Sequence, residues 1–199
     1  AVEGYVDAIA MTRAGFPETV APLGTALTEN QLALMWRVSA EPVLCFDGDK
    51  AGVKAAYRAI DVALPHLQPG RTLRFVFLPG GQDPDELLRS SGAEAVAAAV
   101  SRPAPFVEVL CSREIQREPL DTPEQKADLE KRLRDLVASI RDETVRKHYR
   151  DAVDEKLRDL FRRRPARGSG SDGGGAGGAP FRPQRGGRFQ PAPQTPKSP

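Results

Sequence analysis

Apolar positions recur along this chain with two periods, and glycine or proline marks each change of period. The runs "TVAPLG", "PVLCF" and "LRFVFLP", with the strand end "AVEG", read as strands. "PVLCF" is apolar throughout, as a strand buried on both faces is. Between these runs the spacing turns helical. "YVDAIAMTRAG" predicts a helix with Val6, Ile9, Ala10 and the stem of Arg13 on its inner side and Gly15 as its stop. Thr28 and Gln31 make a capping box for "ENQLALMWRV". Val53, Ala56, Ile60, Leu64 and Leu67 then form one apolar stripe. Strands alternating with helices predict an α/β fold, a parallel-rich sheet flanked by helices.

After Pro79 the strand signals vanish. Asp83 caps a helix with Pro84 at its first position, and "AEAVAAAV" is a second short helix. Thr122–Gln125 is another capping box, opening a helix with Leu129, Leu133, Leu136, Val137 and Ile140 inward. A last helix carries Val145, Tyr149, Val153, Leu157 and Leu160. From about Pro165 the chain is Gly, Pro, Arg, Ser and Gln with few aliphatics, too little apolar surface to order itself. The expected organisation is an α/β domain over 1–92 that opens on the end of its first strand, a small helical subdomain over 93–164, and a disordered Gly/Pro/Arg-rich tail over 165–199.

Charge and composition narrow the class. No run approaches the about 20 apolar residues of a membrane helix, so no membrane partner is expected. The two cysteines, Cys45 and Cys111, lie far apart without a CxxC partner, and there are only two histidines. That predicts buried thiols in a reducing cytoplasm and no structural zinc site in this chain. The net charge of +2 hides an asymmetry: from Arg162 onward eight basic residues face one acidic residue, Asp172, which leaves −5 on the rest. "RPQRGGRFQ" in the basic tail reads as linker rather than as a nucleic-acid contact.

The acidic residues carry the chemistry. Ligands of open parallel sheets gather at the carboxyl ends of the strands. Glu3 follows the first predicted strand, Asp47 and Asp49 the third, Asp83 and Asp85 the fourth, and Asp7 lies one helical turn past Glu3. Like charges so crowded require something positive between them. Hard carboxylate oxygens suit Mg²⁺ or Mn²⁺. Gly48 is expected to let Asp47 and Asp49 converge, and Gly52 to keep the next helix start open to a phosphate. Each acid also has a purely architectural reading: Asp49 and Asp83 as helix caps, Asp85 as a helix-dipole partner, Asp7 as a solvated helix residue. Lys50, Lys54 and Arg58 follow "DGD" and are candidates for nucleotide or template binding, Lys50 first, against the plainer reading of a solvated face. Gly24, Thr25 and Thr28 form a loop that suits phosphate or a simple turn. Met35 and Trp36 read as core, and Arg74 carries no functional claim.

In that order, "VEGYVDAIAMTRAGF", "VAPLGTALTENQ", "VLCFDGDKAGVKAAYRA" and "LRFVFLPGGQDPDELLRSSG" closely resemble the Toprim region of the DnaG-type bacterial DNA primase family. The likeness is strong over about 1–92 and looser to about Arg162. It implies a Toprim-type fold and an enzyme that makes RNA primers on single-stranded DNA from ribonucleoside triphosphates by nucleotidyl transfer. By motif, Glu3, Asp47 and Asp49 would be the catalytic metal-binding carboxylates, with Asp7, Asp83 and Asp85 completing the cluster around one or two Mg²⁺ or Mn²⁺ ions. The family's zinc module precedes this region, so zinc is expected only there. Its helicase-docking domain follows a linker, so contact with the replicative helicase is expected outside this chain. A cytoplasmic, monomeric protein is implied. Starting at Ala1, two residues before Glu3, the chain reads as a fragment that keeps metal sites but supports little or no primer synthesis alone. The alternatives are another Toprim metalloenzyme, a nuclease or topoisomerase, or a non-enzymatic replisome docking fragment. Tyr5, Tyr57 and Tyr149 lack a recognisable topoisomerase setting.

Overall fold

A computed structural model of the chain describes residues 1–22 and 27–162. Along them run α1 (Tyr5–Arg13), α2 (Glu29–Val38), β1 (Val43–Phe46), α3 (Lys50–Ala63), β2 (Arg74–Phe77), α4 (Pro84–Val100), β3 (Ala104–Pro105), α5 (Phe106–Arg117), α6 (Pro123–Ala138) and α7 (Glu143–Arg162). The fold is the expected mixed α/β one. Residues Ala1–Arg164 form one compact unit. The Gly24 and Thr25 loop, the tail and "RPQRGGRFQ" lie outside the described residues.

The sheet has the order β1-β2-β3. β1 and β2 are parallel, with Val43 opposite Arg74 and Phe46 opposite Phe77, and β3 is antiparallel to β2. Parallel neighbours need a crossover, and α3 supplies it. Its inner face carries Ala56, Ala59, Ile60 and Ala63, all buried, so small side chains let the helix settle closely on the sheet. Successive residues of β1 point to opposite faces. Leu44 and Phe46 join Phe75 in one core, while Cys45 joins Val2, Met11, Val76, Leu87 and Val96 in the other. This explains why the strand is apolar at every position. Both cysteines are buried and free, as expected. Trp36 is core too, and its indole N–H donates to the Thr72 carbonyl at 2.9 Å.

Four expectations change. The first two predicted strands do not form. Ala1 lies beside β1, where its amino group donates to the Val43 carbonyl at 2.5 Å and its carbonyl accepts from the Cys45 N–H at 2.8 Å, while the Val2 N–H donates to the Val20 carbonyl at 3.0 Å. The pairing with β1 stops at Ala1, because the Val2 N–H turns to Val20 instead. In α1 the buried side is Ala10 and Met11, whereas Val6 and Ile9 are 43% and 57% exposed. The apolar residues of α1 run around the helix, so packing against α4 rather than periodicity selects its inner face. A strand does follow Pro79, since β3 completes the sheet edge. Finally, α5 was absent from the sequence reading. It begins at Phe106 with Pro105 as its N-cap and no capping side chain, so the start signal is missing. Its buried face also includes Arg113 and Glu114, which breaks the apolar period.

Those two charges are satisfied by neighbours. Glu114 accepts from Arg113 at 2.9 Å and from Arg117 and Arg132 at 3.2 Å each. Arg113 reaches Asp61 at 2.5 Å and the Tyr57 carbonyl at 3.3 Å on α3. Glu114 and Arg113 therefore tie α5 to α6 and α3. Alongside, Phe106 packs edge-on against Phe75 at 5.7 Å and Tyr149 at 6.2 Å, so the helices after Ala104 share a core with the sheet. Within α4, Gly92 has φ +80°, a break that divides the two short helices read from sequence.

Candidate functional site

The carboxyl ends of β1 and β2 open into two loops that lock together. The Leu78 N–H donates to the Phe46 carbonyl at 3.1 Å, and the Gly48 N–H to the Gln82 carbonyl at 3.4 Å. Gly80 and Gly81, with φ of +69° and +77°, turn the second loop back toward the first. Gly48 is required for a different reason from the sharp turn expected. Its backbone is not left-handed, but a Cβ there would overlap the Leu78 carbonyl oxygen and lie 2.9 Å from the Gly81 nitrogen. Likewise a Cβ at Gly52 would overlap the Asp47 carbonyl and lie 2.9 Å from its nitrogen, so this glycine serves close packing of α3 on the turn rather than an open phosphate site. Gly48→Ala is expected to cost about 2–4 kcal/mol, because backbone rather than a flexible side chain must give way. A thermal melt checks this, with Gly15→Ala as a control: nothing crowds that position, although its φ of +99° still carries a small cost.

The interlocked loops bring together all six carboxylates singled out by sequence. Asp47 stands at their centre. Partial burial, then the charges of Glu3, Asp7, Asp83 and Asp49, push its carboxyl up to about 7. Asp7 is also raised, first by burial and then by Asp83, Glu3 and Asp85, although the Gly4 N–H bonded to it pulls the other way. The capping readings of Asp49 and Asp83 hold as well, whereas Asp7 is half-buried rather than a solvated helix residue. The Asp49 Oδ1 accepts from Gly52 N–H at 2.7 Å and caps α3, and the Asp83 Oδ1 accepts from Glu86 N–H at 2.7 Å and caps α4. The Asp7 Oδ2 accepts from Gly4 N–H at 2.9 Å. Each bond engages one oxygen and orients the other, so capping and ligation are compatible. Asp85 pairs with Arg89 at 2.9 Å. Arg89 escaped the sequence reading, although its i,i+4 spacing from Asp85 was the signal available.

Among the described residues, no three His, Cys, Asp or Glu side chains are gathered tightly enough to hold an ion as they stand. The donor set still fits a hard divalent cation. Mg²⁺ keeps several waters and takes only one or two carboxylates, with substrate phosphates completing the shell. Lys50, Lys54 and Arg58 are exposed on α3, one turn apart. Arg58 and Glu3 border a cleft of about 350 Å³ floored by Leu44 and Phe46. Thr28 caps α2, its hydroxyl accepting from Gln31 N–H at 3.3 Å. Arg74 is paired with Glu41 at 3.0 Å. No helix among the described residues is long and apolar enough to cross a membrane.

A family model described as Toprim-like matches residues 1–88, and one described as the DnaB-helicase binding domain of primase matches 107–158. The DNA primase of Rickettsia felis is 41% identical over 148 residues, which is 74% of this chain and 25% of that protein. The DNA primase of Escherichia coli K12 is 38% identical over 156 residues, covering 78% and 27%. This chain thus spans about a quarter of the curated relatives it matches. Among solved structures, a DnaG primase catalytic domain bound to ssDNA superposes with a TM-score of 0.71 at 38% identity, covering 78% of this chain and 50% of that one. The RNA polymerase domain of Mycobacterium tuberculosis primase DnaG, in complex with double-stranded DNA, gives 0.59 at 30% identity, covering 79% and 51%. The chain belongs to the DnaG-type family of bacterial DNA primases, of which it carries the Toprim-like region and the helical segment that follows.

Proposed function

We propose that this chain carries the metal-dependent nucleotidyl-transfer centre of a DNA primase, acting on ribonucleoside triphosphates along a single-stranded DNA template. The observation that supports it best is the convergence of four carboxylates, Glu3, Asp49, Asp83 and Asp85, on Asp47 and Asp7 beside the ends of β1 and β2. One or two Mg²⁺ or Mn²⁺ ions held there would neutralise charge on the attacking and leaving oxygens of an in-line displacement. Glu3, Asp47 and Asp49 are assigned the central ligand role. Asp7 and Asp83 orient around them through their backbone bonds. Lys50, Lys54 and Arg58 offer exposed charge to the nucleotide or the template backbone. Residues 1–92 form the catalytic part in this reading, 93–164 its helical buttress and 165–199 a linker. The protein works as a monomer in the cytoplasm.

The match of 107–158 to a DnaB-helicase binding domain of primase supports a second role for the same chain. Contact with the replicative helicase then runs through α5–α7, whereas sequence alone placed it beyond this chain.

The test of the catalytic reading is calorimetric titration of Mn²⁺ into the chain and into Asp47→Asn/Asp49→Asn. Saturable binding to the parent, lost in the variant while its circular dichroism is kept, is the expected result. Equal weak binding by both would overturn the assignment.

A further inference from the structure

Within 107–158, the segment that matches a helicase-binding family, most apolar side chains turn inward. Leu129, Leu133, Val137, Val153 and Leu157 are buried in the core shared with the sheet. The exposed large apolar side chains of the described residues all fall between Tyr5 and Val38, outside this segment. The segment does form one wall of an open groove. Between the start of β2 and α7 lie two adjoining lobes, of about 200 and 410 Å³, which share Thr72, His148 and Tyr149. Val107, Val145, Tyr149 and Ala152 are half-buried and line them, so the segment shows its remaining apolar surface here. Along α7 the groove extends from Thr144 to Ala152, eight residues further on, or about 12 Å. About four residues of extended chain cover that length.

The rim gives the groove a sign. The side chains of Arg71 and His148 have no ion-pair or hydrogen-bond partner among the described residues. Glu41 is the one acidic residue in the lining, and Arg74 already engages it at 3.0 Å. An apolar floor with free donors at its lip suits a short protein segment, whose apolar side chains fill the lobes while an acid meets Arg71 and His148. A nucleic-acid strand fits less well. Phe106 and Tyr149 pack edge-on against each other rather than standing open for bases to stack on. The groove also lies at the far ends of the strands from the acids: Glu41 precedes β1 and Thr72 precedes β2, whereas Asp47 and Asp83 follow them. A segment seated there does not compete with metal or nucleotide.

We propose that this groove receives a short acidic and apolar segment of the replicative helicase, with Arg71 and His148 as the residues that select it. This rests on the helicase-binding reading of α5–α7 and adds the place of contact. One wall of that place, including Arg71, lies outside the matched segment.

The experiment measures binding of this chain, fluorescently labelled, to the purified replicative helicase of the same organism by anisotropy. Arg71→Glu/His148→Glu reverses the rim, and Ala152→Tyr puts a ring into the smaller lobe. Arg150→Glu, exposed on α7 but outside the groove, is the control. Both groove variants are expected to bind at least about tenfold more weakly than the parent, with the midpoints of their melts kept. Arg150→Glu is expected to bind like the parent. Undiminished binding by Arg71→Glu/His148→Glu would overturn the proposal while the helicase-binding reading stands. Equal weakening by Arg150→Glu would also overturn it, by showing diffuse charge attraction in place of a site. A dT oligonucleotide that binds the parent chain but not Arg71→Glu/His148→Glu would assign the groove to nucleic acid instead. Absence of helicase binding by the parent would remove the helicase-binding reading and this proposal with it.

Discussion

Asp47→Asn should make the metal-free protein more stable at neutral pH and the complete primase almost inactive. The stability gain follows from the raised carboxyl. An aspartate in the unfolded chain titrates near 3.9, about where solvent leaves it. In the fold the same group is pushed up to about 7 by burial and by four neighbouring acids. A folded pKa above the unfolded one favours the protonated fold. Its stabilising contribution is complete below about pH 4 and is lost as pH rises through about 7. Above that, the ionised Asp47 works against the structure. Three units correspond to about 4 kcal/mol, but Asp47 is only partly buried, and solvent screening reduces this to about 1–2 kcal/mol. Urea melts of the metal-free chain between pH 4 and pH 8 should therefore fall more steeply for the parent than for Asp47→Asn. Identical slopes would show that the acids around Asp47 do not act on it. Added Mn²⁺ should reverse the order, because an ion that binds only the folded parent adds about 2.7 kcal/mol at a hundredfold excess over Kd. On the catalytic reading proposed above, a primase carrying this variant loses a ligand to ions that would stabilise the transition state, and priming should fall by about two orders of magnitude or more. Stability rising while activity falls is the signature of an acid kept in place for chemistry rather than for folding.

Glu114→Ala should have the largest effect on folding, a loss of about 3–5 kcal/mol in unfolding free energy. Glu114 is 1% exposed and accepts from three arginines. Removing it leaves the buried Arg113 with Asp61 alone and the half-buried Arg132 with only the more exposed Asp128 and Glu118, so each loses its one fully buried partner. Arg117 is 59% exposed and simply rehydrates. Glu114→Gln keeps the shape and one acceptor oxygen, so it should cost less. In a double-mutant cycle, Arg132→Ala should be less damaging in the Glu114→Ala background than in the parent, since the partner is already gone. Chemical denaturation of the four proteins measures this. Additive losses would mean that the two residues act independently. Mn²⁺ affinity should not change in any of them, because the network joins α3, α5 and α6 rather than the strand ends.

How much of this was legible beforehand varied with the kind of signal. The caps of α2, α4 and α6 were written locally: Thr28, Asp83 and Thr122 each precede a matching Gln or Glu by three residues. The stripe of α3 was equally local. α5 was hidden, because its start has no capping side chain and its buried face holds two charges whose partners sit on other helices. The inner face of α1 was misread because its neighbour, not its own pattern, chooses between apolar sides. Gly48 was noticed for its turn, but its real constraint is a carbonyl from a loop thirty residues later in the chain.

By itself, then, the sequence determined the alternation of β1, α3 and β2, the capped helices after Pro79, and six acids, four of them just past the ends of β1 and β2. Those features depend on neighbours within a few residues, where period, caps and turns are set. Only the tertiary structure decided that the acids meet at Asp47, that Arg89 reaches them through Asp85, and that a buried glutamate ties the later helices to α3. Electrostatic and packing energies fall with distance in space, and distance in space is settled only when the chain has closed its loops.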